Sequence, residues 1–193
     1  MSPEKEKPPR HLYVRGTSDT RHRPAKDPSF LAFLRILSHK RRVHTDSLTQ
    51  TLLKLAHCLS QAEDPWWILG SAAVYLKGCD PGRVGDVDVL VSAHDAVKFM
   101  SRHGWSNDKD GGTERYRSGY VLRPDLGALP VEILANYEIM TRQTWKPVWP
   151  ASRFKVMHKG CAFYIPSDEN LVEIFERLAR PKDFDRIRAM QGR

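Results

Sequence analysis

The 193-residue chain holds only three cysteines, Cys58, Cys79 and Cys161. They lie far apart, form no CxxC pair and cannot all pair with one another, so neither a disulfide framework nor a structural zinc site finds support. A reducing, cytoplasmic setting is the expectation. No stretch approaches about eighteen uninterrupted apolar residues, so no membrane span is expected. The opening MSPEKEKPPR lacks the apolar core of a signal peptide. No GxGxxG follows the first candidate strand, and no GxxxxGK[ST] occurs. Dinucleotide-binding and P-loop readings lose their main support. There is no internal repeat.

What is present is a globular composition, 40% apolar and 28% charged. The net charge of +8 is unevenly placed: residues 1–45 hold eleven Lys or Arg against four Asp or Glu. Residues 1–28 contain five prolines and no periodicity. They read as a flexible basic arm, followed by a single domain over 29–193. The arm suits contact with a polyanion such as nucleic acid, and equally suits a solubilising tail.

Along the domain, FLAFLRIL (30–37) reads as a short apolar helix docked on the main body, and SHKRR (38–42) as a basic connection. A second helix runs from Thr45 or Asp46, either of which suits its cap, to about Gln61. WWIL (66–69) reads as a strand, Gly70-Ser71 as a tight corner, AAVYL (72–76) as a short helix and Asp80-Pro81-Gly82 as a turn. Asp86–Val91 is a second strand, and Ser92 caps a helix to about His103. Residues 114–122 and 130–135 read as a hairpin with a long loop. Residues 154–157 and 161–165 form another pair. Ser167 caps a helix over 171–179, and Pro181 starts the last one. The alternation predicts an α/β (α+β) domain with a small mixed sheet, flanking helices and a helical C-terminal end.

The segment GDVDVLV (85–91) is the informative one. Strand side chains alternate, so Val87, Val89 and Val91 face a core while Asp86, Asp88 and Leu90 face the other way. Two carboxylates on one face repel unless something positive lies between them. A divalent cation such as Mg²⁺ suits that place and keeps positions free for substrate phosphates. A strand end with solvated aspartates is the plain alternative. PVEIL (130–134) adds Glu132, a third carboxylate flanked by Val131 and Ile133. If its strand lies beside the first, the three cluster. Upstream, Gly70-Ser71 opens a helix where backbone N–H groups and the serine hydroxyl can hold phosphate oxygens.

Leu69-Gly70-Ser71, then Gly85-Asp86-Val87-Asp88-Val89, then Val131-Glu132-Ile133 together resemble the nucleotidyltransferase superfamily of the polymerase-beta type. The likeness covers about residues 64–135. ARPKDFDRI (179–187) resembles the Arg-x-Lys-Asp segment of small bacterial members related to abortive-infection and toxin–antitoxin nucleotidyltransferases. In this chain Asp185 comes one residue early and Arg186 stands where that pattern has an aspartate. The resemblance implies transfer of a nucleoside monophosphate from a nucleoside triphosphate, ATP among them, to a hydroxyl-bearing acceptor, with release of pyrophosphate. It implies Asp86, Asp88 and Glu132 as catalytic and as ligands of Mg²⁺ or Mn²⁺. Gly70, Ser71 and Lys182 would hold the triphosphate.

The acceptor and the oligomeric state are not legible; RNA and a small molecule are the acceptor candidates. Tyr75, Trp105, Tyr116 and Tyr120 are candidates for base stacking, and Arg115, Arg117 and Arg123 for phosphate contacts. Trp66, Trp67, Trp145 and Trp149 read as packing residues. Three rivals stay open: an inactive relative that binds nucleotide, nucleic acid or a partner protein, a basic nucleic-acid-binding module, and a plain α/β domain.

Overall fold

The structure, a computed structural model, describes residues 28–192. Residues 1–27, on which the expected basic arm falls, and Arg193 lie outside the described residues. So do the side chains of residues 28–31 and 33–44, and with them the expected docking of FLAFLRIL. The chain divides into two units, Met1–His39 and Lys40–Arg193. The described part of the first is helical.

Helix α1 spans Pro28–Leu59, where the sequence pattern predicts two helices and a connection at residues 38–42. SHKRR contains neither proline nor glycine, and Lys and Arg are good helix formers. Loss of apolar periodicity is not a stop signal, so Thr45 and Asp46 lie within α1 rather than capping a new helix.

The second unit continues with β1 (Trp67–Ile68), α2 (Gly70–Leu76), β2 (Val87–Leu90), α3 (Ala93–His103) and β3 (Tyr116–Leu122). Then come β4 (Val131–Thr141), β5 (Thr144–Pro147), β6 (Phe154–His158), β7 (Cys161–Ile165), α4 (Asp168–Leu178) and α5 (Pro181–Gln191). The predicted caps form. Ser92 Oγ accepts from the Asp95 N–H at 3.0 Å, and Ser167 Oγ from the Asn170 N–H at 3.2 Å. Pro181 occupies the first turn of α5. Each such cap satisfies a helix-end donor that would otherwise lack a partner.

The main sheet has the order β1-β2-β4-β3, with β5 paired to the far end of β4. β1 runs antiparallel to β2, β2 parallel to β4, and β3 and β5 antiparallel to β4. The sheet is therefore mixed. β6 and β7 form a separate antiparallel pair. On one face Val87, Val89, Val91, Ile133 and Ala135 pack with Leu48, Leu52, Leu55 and Leu59 of α1 and Phe99 of α3. Burying one such side chain contributes roughly 1.5–3 kcal/mol. The opposite face carries Leu90 and Leu134, packed with Trp67, Leu69 and with Ile174 and Leu178 of α4.

β4 has 11 residues, continuing well past the predicted end at 135, and β5 was not predicted. Asn136 explains the short reading. Its φ is +50°, in the left-handed region. Before it, Val131, Ile133 and Ala135 face the α1 side; after it, Tyr137 and Ile139 join Leu134 on the other side. Gly119 stands opposite on β3, where a Cβ would lie 3.0 Å from the Asn136 Cβ. The strand pair changes face at this crossing, and period-two reasoning stops there.

Candidate functional site

β2 and β4 are parallel neighbours, with Asp88 directly opposite Glu132. Asp86 lies two residues before Asp88, just outside β2. Strand alternation puts Asp88 and Glu132 on the face of Leu90 and Leu134. α4 covers the two leucines. The carboxylates, further along, line a cavity of about 330 Å³. Gly70, Arg123, Arg180, Lys182 and Arg186 line it too, with Tyr116 and Tyr137. The sequence-predicted Gly70, Asp86, Asp88, Glu132 and Lys182 thus share one cavity.

Gly70 is fixed by two constraints. The Leu69 N–H donates to the Asp88 carbonyl at 2.9 Å, tying the start of α2 to β2. Gly70 has φ +61°, and a Cβ on it would sit 2.8 Å from Asp88 Oδ2. Glycine tolerates that backbone and alone leaves room beside the carboxylate. Ser71 falls outside the lining: it is 2% exposed, and its Oγ is buried without a hydrogen-bond partner.

Removal from water pushes the Asp88 carboxyl up to about 7, helped by the neighbouring charges of Asp86 and Glu132. Arg180 and Arg186 oppose the rise. These two arginines share the fully buried Asp183. Arg180 Nε donates to its Oδ2 at 2.7 Å and Arg180 Nη2 to its Oδ1 at 3.0 Å. Arg186 Nη1 also donates to Oδ1, at 3.0 Å, and the Arg180 backbone N–H to Oδ2, at 3.1 Å. Asp183 therefore locks the start of α5, and Lys182 with it, against the cavity.

The three carboxylates do not draw together as a finished cage. Glu132 Oε1 instead accepts from Arg123 Nε at 2.9 Å. Among the described residues, the group of three whose ligating atoms all lie within 4.8 Å is a different one: Asp64, His94 and Asp95. It is a candidate metal group by distance. Its hydrogen bonds give it another role. Asp95 accepts from the Glu63 and Asp64 N–H groups, both at 2.9 Å, and Asp64 Oδ2 accepts from Ser92 Oγ at 2.7 Å. The cluster clasps the turn before β1 to the start of α3. Hard carboxylate oxygens and the space left by the absent Cβ of Gly70 make Asp86, Asp88 and Glu132 a donor set that fits Mg²⁺ or Mn²⁺.

The remaining predicted residues divide. Tyr116 lines the cavity, as do Arg117 and Arg123. Tyr75 packs against His158, Trp105 stacks on His103 with centroids 4.4 Å apart, and Tyr120 packs on the α1-side core. Arg115 donates to the carbonyls of Leu178 and Ala179, holding the end of α4. Arg117 Nε donates to Glu138 at 2.6 Å, with its guanidinium 4.4 Å from the Trp145 ring centre. Trp66 and Trp67 are buried, as expected of packing residues, whereas Trp149 is 51% exposed against Trp67. Sequence reasoning missed Arg180 and Tyr137. Arg180 is the arginine of the Arg-x-Lys-Asp segment, which is the signal for it; Tyr137 was hidden by the change of face at Asn136.

This architecture recurs in a Thermotoga maritima protein provisionally assigned as a nucleotidyltransferase. The likeness has a TM-score of 0.57 at 20% identity, over 73% of this chain and 90% of that one. Looser likenesses are to an antigenic nucleotidyltransferase-like protein of Paracoccidioides brasiliensis and to the antibiotic-resistance factor ANT(2'')-Ia. The first has a TM-score of 0.48 at 19% identity, over 76% of each chain. The second has 0.49 at 13%, over 76% of this chain and 83% of that one. No family model and no curated protein matches the sequence. The chain shares the fold of the Thermotoga maritima protein. Identity this low establishes the fold and leaves the reaction to the site. Among the described residues no helix is long and apolar enough to cross a membrane.

Proposed function

We propose that the protein is a metal-dependent nucleotidyltransferase. It moves a nucleoside monophosphate from a nucleoside triphosphate to a hydroxyl-bearing acceptor and releases pyrophosphate. The observation that carries this is the Asp88–Glu132 register, which sets three carboxylates at the wall of a cavity that is otherwise rich in Arg and Lys. Carboxylates alone would repel phosphates and cations alone would not hold a divalent ion; the pairing suits a metal–triphosphate substrate.

Asp86 and Asp88 would hold Mg²⁺ or Mn²⁺, and Glu132 would complete the set. A bound ion supplies charge neutralisation on the phosphates and eases loss of the acceptor proton. Glu132 is placed to take that proton as the acceptor oxygen bonds to the α-phosphorus and the bond to the β-phosphate oxygen breaks. Lys182, fixed by the Asp183 lock, neutralises charge on the departing pyrophosphate. Gly70 lets the chain approach the phosphates, whereas the Ser71 hydroxyl is buried outside the cavity lining and does not reach them. Tyr116 is the stacking surface for the base.

The test is transfer of label from each α-³²P nucleoside triphosphate, with pyrophosphate release, in the presence of Mg²⁺ and of RNA or small polyhydroxy acceptors. Transfer that falls by about 10³-fold in Asp86→Asn or Asp88→Asn supports the proposal. Transfer that survives both changes overturns it.

A further inference from the structure

Arg123 touches two things at once. Its Nε donates to Glu132 Oε1 at 2.9 Å, and its Nη1 donates to the Asp108 carbonyl at 2.9 Å. Its Nη2 lies 3.7 Å from Asp110 Oδ2. Asp108 and Asp110 belong to the loop between α3 and β3. That loop is laced along the β3 edge. The Asp108 N–H donates to the Val121 carbonyl and the Thr113 N–H to the Tyr116 carbonyl, both at 2.8 Å. Its turn needs Gly112, where φ is +79° and a Cβ would meet the Tyr116 carbonyl at 2.4 Å. Lys109, Asp110, Gly112 and Thr113 form one wall of the cavity. One guanidinium therefore joins that wall to the carboxylate of Glu132.

We propose that Arg123 is a resident counter-ion for Glu132, a positioning residue that a divalent cation displaces. This rests on the reading of Asp86, Asp88 and Glu132 as the metal site. Glu132 lies against Arg123, which relieves its repulsion from Asp88 on the neighbouring strand. A divalent ion at Asp86 and Asp88 offers Glu132 a stronger partner. Glu132 cannot keep the Nε hydrogen bond and turn to the ion with the same oxygen. When it turns, Arg123 loses its fixed partner on β4, and the loop loses the tie that runs through Arg123. Metal binding and the order of the loop at residues 106–113 are then one equilibrium, with Arg123 as the link. A guanidinium released at the cavity wall is also free to meet an anionic substrate group.

The experiment uses the full chain and Mn²⁺ alone. Mn²⁺ affinity is read by electron paramagnetic resonance, and amide exchange of residues 106–113 is followed with and without the ion. In the wild type, Mn²⁺ speeds exchange in this loop. Arg123→Gln binds Mn²⁺ more tightly, by about 5-fold, because the competing ion pair is gone. Its loop exchanges fast already, and Mn²⁺ adds nothing. Equal or weaker Mn²⁺ affinity in Arg123→Gln, or a wild-type loop that Mn²⁺ leaves unchanged or slows, overturns the proposal while the metal site stands. Absence of Mn²⁺ binding in the wild type overturns both.

Discussion

The two ends of β2 carry two acidic groups, and they are built in opposite ways. At the C-terminal end, Asp64, His94 and Asp95 converge, and Asp95 is fully buried with both oxygens filled by backbone N–H groups. At the N-terminal end, Asp86, Asp88 and Glu132 face a cavity and stay apart. Burial and its neighbours push Asp88 up to about 7. The first group spends its carboxylates on the fold. The second leaves three like charges around one cavity without converging, at a cost to the fold, which is the mark of a site held for a ligand. Distance between ligating atoms ranks the two groups one way; hydrogen-bond satisfaction ranks them the other way. The second criterion is the better guide, because a carboxylate that holds a backbone donor on each oxygen has less left to give a metal.

The contrast breaks most visibly in activity. Asp88→Asn lowers nucleotidyl transfer by about 10³-fold, whereas His94→Ala leaves the rate unchanged. Stability responds in the reverse sense. Asp95→Ala strands the buried N–H groups of Glu63 and Asp64 and costs about 3 kcal/mol in denaturant unfolding. Gly70→Ala falls between. Its φ of +61° and the 2.8 Å approach to Asp88 Oδ2 cost about 2 kcal/mol, and Mn²⁺ affinity falls with it because Asp88 is displaced.

The smallest effect is the most diagnostic one. Asp88→Asn removes one of three repelling charges and stabilises the metal-free protein by about 1 kcal/mol at pH 8. The pH dependence follows from the direction of the shift. The folded-state value of about 7 lies above the ordinary 3.8, so the folded protein holds the Asp88 proton more tightly than the unfolded chain does. Its stabilising contribution is complete below the ordinary value and is lost as pH rises through about 7. Thermal unfolding of the metal-free wild type, followed from pH 5 to 8, therefore shows a decline that Asp88→Asn lacks. A parallel pH profile in the variant would remove Asp88 from the strained group.

Much of this site is legible in the sequence because strand parity is local. GDVDVLV and PVEIL state which carboxylates share a face, and the parallel pairing then makes Asp88 and Glu132 neighbours. Ser92, Ser167 and Pro181 act through the backbone of their own helix, so their roles could be read directly. What could not be read depends on contacts distant in sequence or on a broken period. Asn136 and Gly119 reverse the face of β4 and β3 together, which hid Tyr137 and shortened the predicted strand. Arg123 acquires its role only when the loop at 106–113 folds back over β3. Ser71 has the expected position in sequence, yet the packing of α2 buries its hydroxyl. The clasp of Asp64 and Asp95 joins residues 31 apart and left no pattern to find.

The decisive measurement is calorimetric titration of the full chain with nucleoside triphosphate and Mn²⁺. It compares the wild type, an Asp86→Asn, Asp88→Asn double variant, and His94→Ala. Metal-dependent triphosphate binding that the double variant loses and His94→Ala keeps is the expected result. Binding that persists in the double variant, or that disappears in His94→Ala, would contradict the assignment of the site to the cavity end of β2.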